Sequence, residues 1–288
     1  MALFSYAIMR SGWQGQDDLH HARSVYCLKK MSPSRLVDRL DESNRVIQGL
    51  WIGSELSVME RLSVVSFLRQ GHEYHLYTYN ELPDVPDGVV VKDANAILPA
   101  SAIFQYKERP SYAGFANQFR YQLLLERGGW WADADVICLR PFDFAEDYVF
   151  ASEEFAGQAI RVNNNVIKSP VGSEVMAYAT QVCRAKKPDQ LVWGETGPKL
   201  LSKLVKKYCL DKYQKPYYIF CPISDWHKLL EPYVAGVNED AYAIHLWNEM
   251  WRLEKCDKNA TYHPACIYEQ LKSKYLGPQS SSLDVRES

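Results

Sequence analysis

The stretch Gly128-Gly-Trp-Trp-Ala-Asp133-Ala-Asp135-Val-Ile-Cys-Leu-Arg140-Pro-Phe-Asp143 decides how this chain is read. Paired glycines stop a helix, the first of them suited to a left-handed cap. The two tryptophans enter a strand, where aromatic side chains suit a pleated surface. The two aspartates stand two positions apart where that strand runs out. An Asp-x-Asp at a strand edge gives neighbouring carboxylates with an open face, and hard cations such as Mn²⁺ or Mg²⁺ take such oxygen ligands while keeping room for phosphate oxygens. A bare Asp-x-Asp also arises by chance, and both carboxylates then cap backbone amides in a turn. Context has to separate the two readings.

Upstream, Tyr112–Arg127 has the spacing of a helix, with Phe115, Phe119 and Leu123 on one stripe. Asn117, Arg120 and Tyr121 share another side at i, i+3 and i+4. That helix ends just before the aspartates, so its polar side can look into the same cleft. Earlier still, Val46–Ile52 reads as a strand. Ser57-Val-Met-Glu60 reads as a capping box, followed by Val58, Leu62, Val65 and Leu68 at helical spacing; Gly71 ends this helix. A second strand covers Tyr74–Thr78 and a third Val89–Val91. This is a βαβ opening, which implies an α/β chain with a mixed, mostly parallel central sheet flanked by helices and ligands at the carboxyl ends of its strands. No Gly-x-Gly-x-x-Gly follows the first strand, so a dinucleotide fingerprint is absent. Val136–Leu139 is a further short strand, Ser173–Lys186 and the segment opening at Gly197-Pro198 are helices, and Pro216–Cys221 and Ala241–Trp247 read as strands.

Further side chains suit a site. Trp51, at the end of the first strand, suits base stacking or core packing. The run Asn163-Asn-Asn165 reads as a turn, or as amides set to read sugar hydroxyls. Glu195, just before a helix start, is placed to orient an acceptor hydroxyl. In His245-Leu-Trp247-Asn248, the His completes a metal site or touches phosphate, and Trp247 and Asn248 close over a ligand; the competing reading is an aromatic corner with a satisfied His.

The 288 residues divide into a polar stretch 1–43 as an N-terminal appendage, a catalytic domain over 44–255, a helical segment over 256–276 and a Ser-rich, disordered tail over 277–288. Lys plus Arg number 33 against 35 Asp plus Glu, a net charge of −2, which removes the basic field that nucleic-acid binding needs. The seven cysteines include no Cys-x-x-Cys and are odd in number, which favours free thiols in a reducing, cytoplasmic setting. No signal peptide or membrane-spanning run is evident.

Taken in order, Ile47-Gln-Gly-Leu-Trp51, Asn117-Gln-Phe-Arg120-Tyr, Gly128-Gly-Trp-Trp-Ala-Asp133-Ala-Asp135, Thr196-Gly-Pro198 and His245-Leu-Trp-Asn248 resemble glycosyltransferase family 32, related to the glucosylating clostridial toxins. The block Arg-Tyr-x-x-Leu-x-x-x-Gly-Gly-x-x-x-Asp-x-Asp carries most of that resemblance, which runs from about Val46 to Trp251. It implies a GT-A fold, a nucleotide-sugar donor (a UDP-sugar), Mn²⁺ or Mg²⁺, retention of anomeric configuration, and a glycan or polysaccharide or lipopolysaccharide precursor as acceptor, with peripheral membrane association compatible. It implies that Trp51 stacks on the base, that Arg120 contacts the donor sugar or diphosphate, and that Asp133 holds ribose or sugar. Asp135 would ligate the metal, with Asp133 and His245 as companions, while the His245–Asn248 loop closes over the diphosphate. Asn117 and Trp131 stand where the family often has Asp and Tyr. Two other classes compete. A haloacid-dehalogenase-type phosphohydrolase also uses an Asp-x-Asp, but after a long aliphatic strand where this chain has Trp130-Trp-Ala. A non-catalytic carbohydrate-binding protein would need neither metal nor nucleotide.

Overall fold

A computed structural model describes residues 40–155, 159–234 and 236–277. Most of the N-terminal appendage, with Cys27, and the tail beyond Gly277 lie outside these residues. The elements are α1 (Glu42–Arg45), β1 (Val46–Trp51), α2 (Val58–Arg69), β2 (Glu73–Thr78), β3 (Val89–Asp93), α3 (Ala113–Arg127), β4 (Gly129–Ala132) and β5 (Val136–Cys138). They continue as β6 (Val149–Phe155), β7 (Ala159–Ser169), α4 (Glu174–Arg184), α5 (Pro198–Lys207), α6 (Tyr217–Phe220), β8 (Ala243–His245), α7 (Asn248–Leu253) and α8 (Ile267–Leu276).

Six strands form one sheet in the order β3-β2-β1-β4-β7-β6. The first four are mutually parallel and β7 and β6 are antiparallel to their neighbours. The sheet is therefore mixed and mostly parallel, with helices packed on it, as the βαβ opening requires. Strand alternation explains the paired tryptophans. Trp130 points to one face and packs on Phe142 in a core that also holds Phe67 and Phe220. Trp131 points to the other, against Phe119 of α3, in a core shared with α4 and α5. Both side chains are fully buried. A third cluster, around Trp226, Trp251 and Tyr268, joins α2 to α7 and α8.

The capping box at α2 is formed: Glu60 accepts from the Ser57 amide at 2.9 Å. The buried face of this helix is rotated from the one that Val58, Val65 and Leu68 suggest. Met59, Leu62, Ser63, Ser66 and Phe67 face inward. The reason is polar: Ser63 Oγ donates to the Val136 carbonyl at 2.6 Å, and Ser66 Oγ accepts from the Cys138 amide at 2.7 Å, so the serines satisfy the edge of β5. The segment β5 does not join the main sheet but pairs antiparallel with β8 in a sheet of two strands.

Three other local readings are corrected. Pro216–Cys221 is not a strand; Tyr217–Phe220 is one helical turn that starts after Pro216 and closes with the Cys221 amide on the Tyr217 carbonyl. Asn163–Asn165 is not a turn but the middle of β7: its Nδ2 groups donate to neighbouring elements, although Asn163 Oδ1 accepts from the Asn165 amide within the run. Asn163 Nδ2 donates to Glu153 Oε2 and Asn164 Nδ2 to Asn117 Oδ1, both at 2.6 Å. Gly128 caps α3 at φ 61°, but with ψ −159° it lies outside the left-handed helical well. A Cβ there would sit 2.6 Å from the Val171 amide nitrogen, so the position accepts only glycine. Cys138, Cys183, Cys209, Cys221, Cys256 and Cys266 are free thiols.

Candidate active site

The site lies where β1 and β4 end at their carboxyl edge. Beyond Ala132 the chain leaves the sheet, and Asp133 stays tied to it through its amide, which donates to the Asn165 carbonyl at 2.8 Å. Trp131 precedes it by two residues on the same face, and its Nε1 donates to Asp133 Oδ1 at 2.7 Å. From α3, Arg120 Nη2 meets the same oxygen at 2.9 Å, with the guanidinium 5.0 Å from the Trp131 ring centre. Arg120 Nη1 donates to the Asn164 carbonyl. Arg120 is thus 4% exposed and committed to Asp133. Asp133 keeps 26% of its side-chain surface open to the cleft.

Asp135 is placed by the small sheet. Its neighbour Val136 lies opposite His245 in the β5–β8 register. Its carbonyl accepts from Leu246 at 2.9 Å, its Oδ2 accepts from the Asn248 amide at 2.8 Å, and His245 Nε2 stands 3.3 Å from that oxygen. Trp247, held in a left-handed conformation at φ 58°, lays its ring 4.2 Å from that of His245 and donates Nε1 to the Ile223 carbonyl. Behind the imidazole lies Cys221, whose sulfur accepts from Asn165 Nδ2 at 3.3 Å.

Asp133, Asp135 and His245 bring their ligand atoms within 4.8 Å of one another. Two carboxylates and an imidazole suit a small divalent cation, with oxygen ligands fitting Mg²⁺ or Mn²⁺ and the imidazole nitrogen favouring the latter. Electrostatics agree with that donor set. Burial alone works against charge on Asp135 and His245, but their mutual attraction prevails: the carboxyl is held below its ordinary range and the imidazole well above its own. Asp133 goes the other way. Removal from bulk water raises it, Asp135 adds to the rise, and the opposing pull of Arg120 is not enough. A cation between the aspartates would reverse that last effect.

The two aspartates floor a cleft of about 680 Å³, with His245 buried behind Asp135. Trp51, Arg120, Trp131, Asp133, Asp135 and Asn248 line it. Trp51 is pinned by donation of Nε1 to the Glu55 carbonyl at 2.8 Å. Asn117, Asn165 and Trp247 are supporting residues behind the wall. Asn117 joins Asn164 to Thr196, whose carbonyl also accepts from Tyr121 at 3.0 Å. Glu195 forms a salt bridge with Lys186, which holds its carboxyl below the usual range, and it does not line the cleft. On the opposite wall, Tyr112 and Glu249 adjoin segments that the sequence already marks, but Lys258 had no signal there and is brought in by tertiary packing. A second cavity, of about 720 Å³, opens at the amino ends of β1 and β4, far from the aspartates; its one buried ammonium, Lys168, is taken up by Ser43, Asn44 and the Phe144 carbonyl.

Residues 55–156 match the family described as "Glycosyltransferase sugar-binding region containing DXD motif". No curated protein matches the chain in sequence. Among solved structures it is similar to "PaToxG Glycosyltransferase" at 15% identity and a TM-score of 0.45, over 57% of this chain and 69% of that one. It is similar to one titled "Structure of Transferase" at 10% identity and a TM-score of 0.38, over 64% and 90%. The glycosyltransferase GlyE of Streptococcus pneumoniae TIGR4 is similar at 13% identity and a TM-score of 0.38, over 61% and 46%.

Proposed function

We propose that this chain, whose residues 55–156 match the DXD-type glycosyltransferase sugar-binding region, carries out metal-dependent transfer of a sugar from a nucleoside-diphosphate donor, a UDP-sugar, to a hydroxyl acceptor on a glycan or lipopolysaccharide precursor. The observation that carries this reading is the convergence of Asp133, Asp135 and His245 within 4.8 Å, with the two aspartates lining a cleft that also presents Arg120 and Trp51. The same match speaks for a transferase and against a phosphohydrolase or a non-catalytic sugar binder. An Asp-x-Asp phosphohydrolase needs its first carboxylate as a nucleophile; here Asp133 Oδ1 is engaged by both Arg120 and Trp131.

Asp135, His245 and Asp133 would hold the cation, which supplies neutralisation of the charge gathering on a departing diphosphate. The protein's own residues do the rest. Trp51, fixed through Glu55, offers its ring to the base. Arg120 orients Asp133 and adds a fixed positive charge beside the sugar. Buried Asn117, Asn164 and Thr196 hold Arg120 and its helix at that distance. In the reaction the anomeric C–O bond to phosphate breaks with its electron pair leaving on the diphosphate. A new C–O bond forms to the acceptor oxygen, and the acceptor proton passes to the departing phosphate oxygen. Attack and departure on one face give the retention the family resemblance implies, and positioning is the main contribution asked of the cleft. Glu195, turned to Lys186, has no part in this scheme. A cytoplasmic setting accords with the free thiols; among the described residues no helix is long and apolar enough to cross a membrane.

The test is a screen of nucleotide sugars for Mn²⁺-dependent hydrolysis and transfer, with Asp135→Asn alongside. Turnover by the unaltered chain that falls at least ~10²-fold in the variant, with the melting temperature kept, is the expected result. Equal turnover with and without the substitution, or with and without chelator, would refute the metal role.

A further inference from the structure

The cleft's diphosphate would need a cation held in place, and four basic side chains on its walls compete for that role. Arg120 is committed to Asp133 and Asn164. Arg252 is spent on Glu249, with contacts of 2.9 and 2.5 Å to its two oxygens. Lys255 is exposed, and its ammonium has no partner among the described residues. Lys258 differs from all three. Its Nζ donates to Glu60 Oε1 at 2.5 Å and to Asn248 Oδ1 at 3.0 Å. An ammonium has three donors, so one is left over. Its side chain is 23% exposed whereas its partner Glu60 is 0% exposed, so the pair has one buried end and one end on the cleft wall.

The backbone under Lys258 is fastened on both sides. Tyr268 Oη donates to the Lys258 carbonyl at 2.6 Å, Tyr262 Oη to the Asp257 carbonyl at 2.6 Å, and Asn259 Oδ1 accepts from the Val58 amide at 2.9 Å. Glu60 is fixed in turn by the α2 capping box. The ammonium also stands 5.1 Å from the Trp51 ring centre. Asn248, which accepts from it, donates its own amide to Asp135. A cation set between the ring that would take the base and the carboxylate that would take the metal is placed for what joins base to sugar.

The geometry points to Lys258 as a donor-binding residue that contacts the phosphate oxygens of the nucleotide sugar, with Glu60 as the positioning residue that holds its ammonium at the wall. This rests on the nucleotide-sugar reading above. A Lys serving only to neutralise Glu60 would be buried with it and would leave no donor facing the cleft. Preorganisation matters here, because a lysine fixed before the ligand arrives loses little side-chain freedom on binding.

The test is calorimetric titration of the full chain, in Mn²⁺, with UDP and GDP and with their nucleosides uridine and guanosine. Lys258→Met should weaken diphosphate binding about ten- to hundredfold, the range for one charge-assisted hydrogen bond. Nucleoside binding should stay within about twofold, since Trp51, assigned to the base, keeps its anchor on the Glu55 carbonyl. Lys258→Arg, which keeps a cation, should recover most of the loss. If Lys258→Met fails to fold because Glu60 is left buried and unpaired, the double variant Lys258→Met with Glu60→Gln removes that charge and must show the same selective loss. Equal loss for diphosphate and nucleoside, or no loss, would overturn the assignment of Lys258. Failure of the unaltered chain to bind either diphosphate would overturn the donor reading beneath it, and does so before any substitution is made.

Discussion

Replacing Arg120 by Met separates what the Arg–Asp pair does for the fold from what it does for the site. The substitution keeps most of the apolar stem and removes the guanidinium. Three acceptors each lose one donor: Asp133 Oδ1 at 2.9 Å, the Asn164 carbonyl, and the Ala116 carbonyl at 3.4 Å. Breaking a buried ion pair on one side costs about 3–5 kcal/mol, because the remaining charge stays where water cannot reach it. Asp133 is a quarter exposed, at 26%, and still accepts from Trp131, so the lower end, about 3 kcal/mol, applies here. At about 2–4 °C per kcal/mol for a chain of this size, the melting temperature should fall by about 6–12 °C. Lys in place of Met restores a charge but not the fork that reaches Asp133 and Asn164 together, so Arg120→Lys should regain part of the stability and little of the turnover. Scanning calorimetry, with donor kinetics below the lowered melting point, reads both. A melting temperature within about 1 °C of the unaltered chain would refute the buried pair, and normal donor kinetics in a destabilised variant would leave Arg120 a purely structural residue.

Acid should act on the fold through His72. It is buried, with Nδ1 donating to the Asn44 carbonyl at 2.9 Å and Nε2 accepting from the Phe142 amide at 2.9 Å, and burial lowers its pKa from 6.5 to about 4. A group depressed in this way contributes stability that is complete above pH 6.5 and is lost as pH falls toward 4, about 2 kcal/mol of it by pH 5. His245, raised in the fold, has the opposite slope and loses its contribution as pH rises past its unfolded value. The measurable quantity is therefore the difference between the unaltered chain and His72→Gln in urea midpoints at pH 7.5 and 5; equal pH dependence in the two would count against the neutral, bridged imidazole. Gly128→Ala should cost more than the ~1 kcal/mol of an ordinary left-handed alanine, because the new methyl meets the Val171 amide nitrogen at 2.6 Å with φ at 61°. A urea midpoint unchanged by that substitution would show that α3 can end elsewhere.

What the sequence discloses and what it hides divide along a physical line. The floor of the cleft is legible because each part is local: Trp131 and Asp133 share a strand face, Asn117, Arg120 and Tyr121 share a helix side, and the glycines between them fix how the two meet. His245 is legible only as a residue type near a strand end, since its place beside Asp135 depends on β5 pairing with β8 across more than a hundred residues. Asn163–Asn165 misleads in a similar way: local propensity says turn, while Glu153 on the adjacent β6 and the more distant Asn117 and Cys221 supply partners that hold the run extended in β7. Lys258 is silent altogether. Its neighbours in sequence form no motif, and its role depends on a buried Glu60 that the sequence assigns only to a helix cap. A site read from local pattern therefore yields the half that one helix and one strand can build, here the aspartates and their arginine. The half contributed by the far end of the chain has to be found by asking which buried charges still lack an explanation.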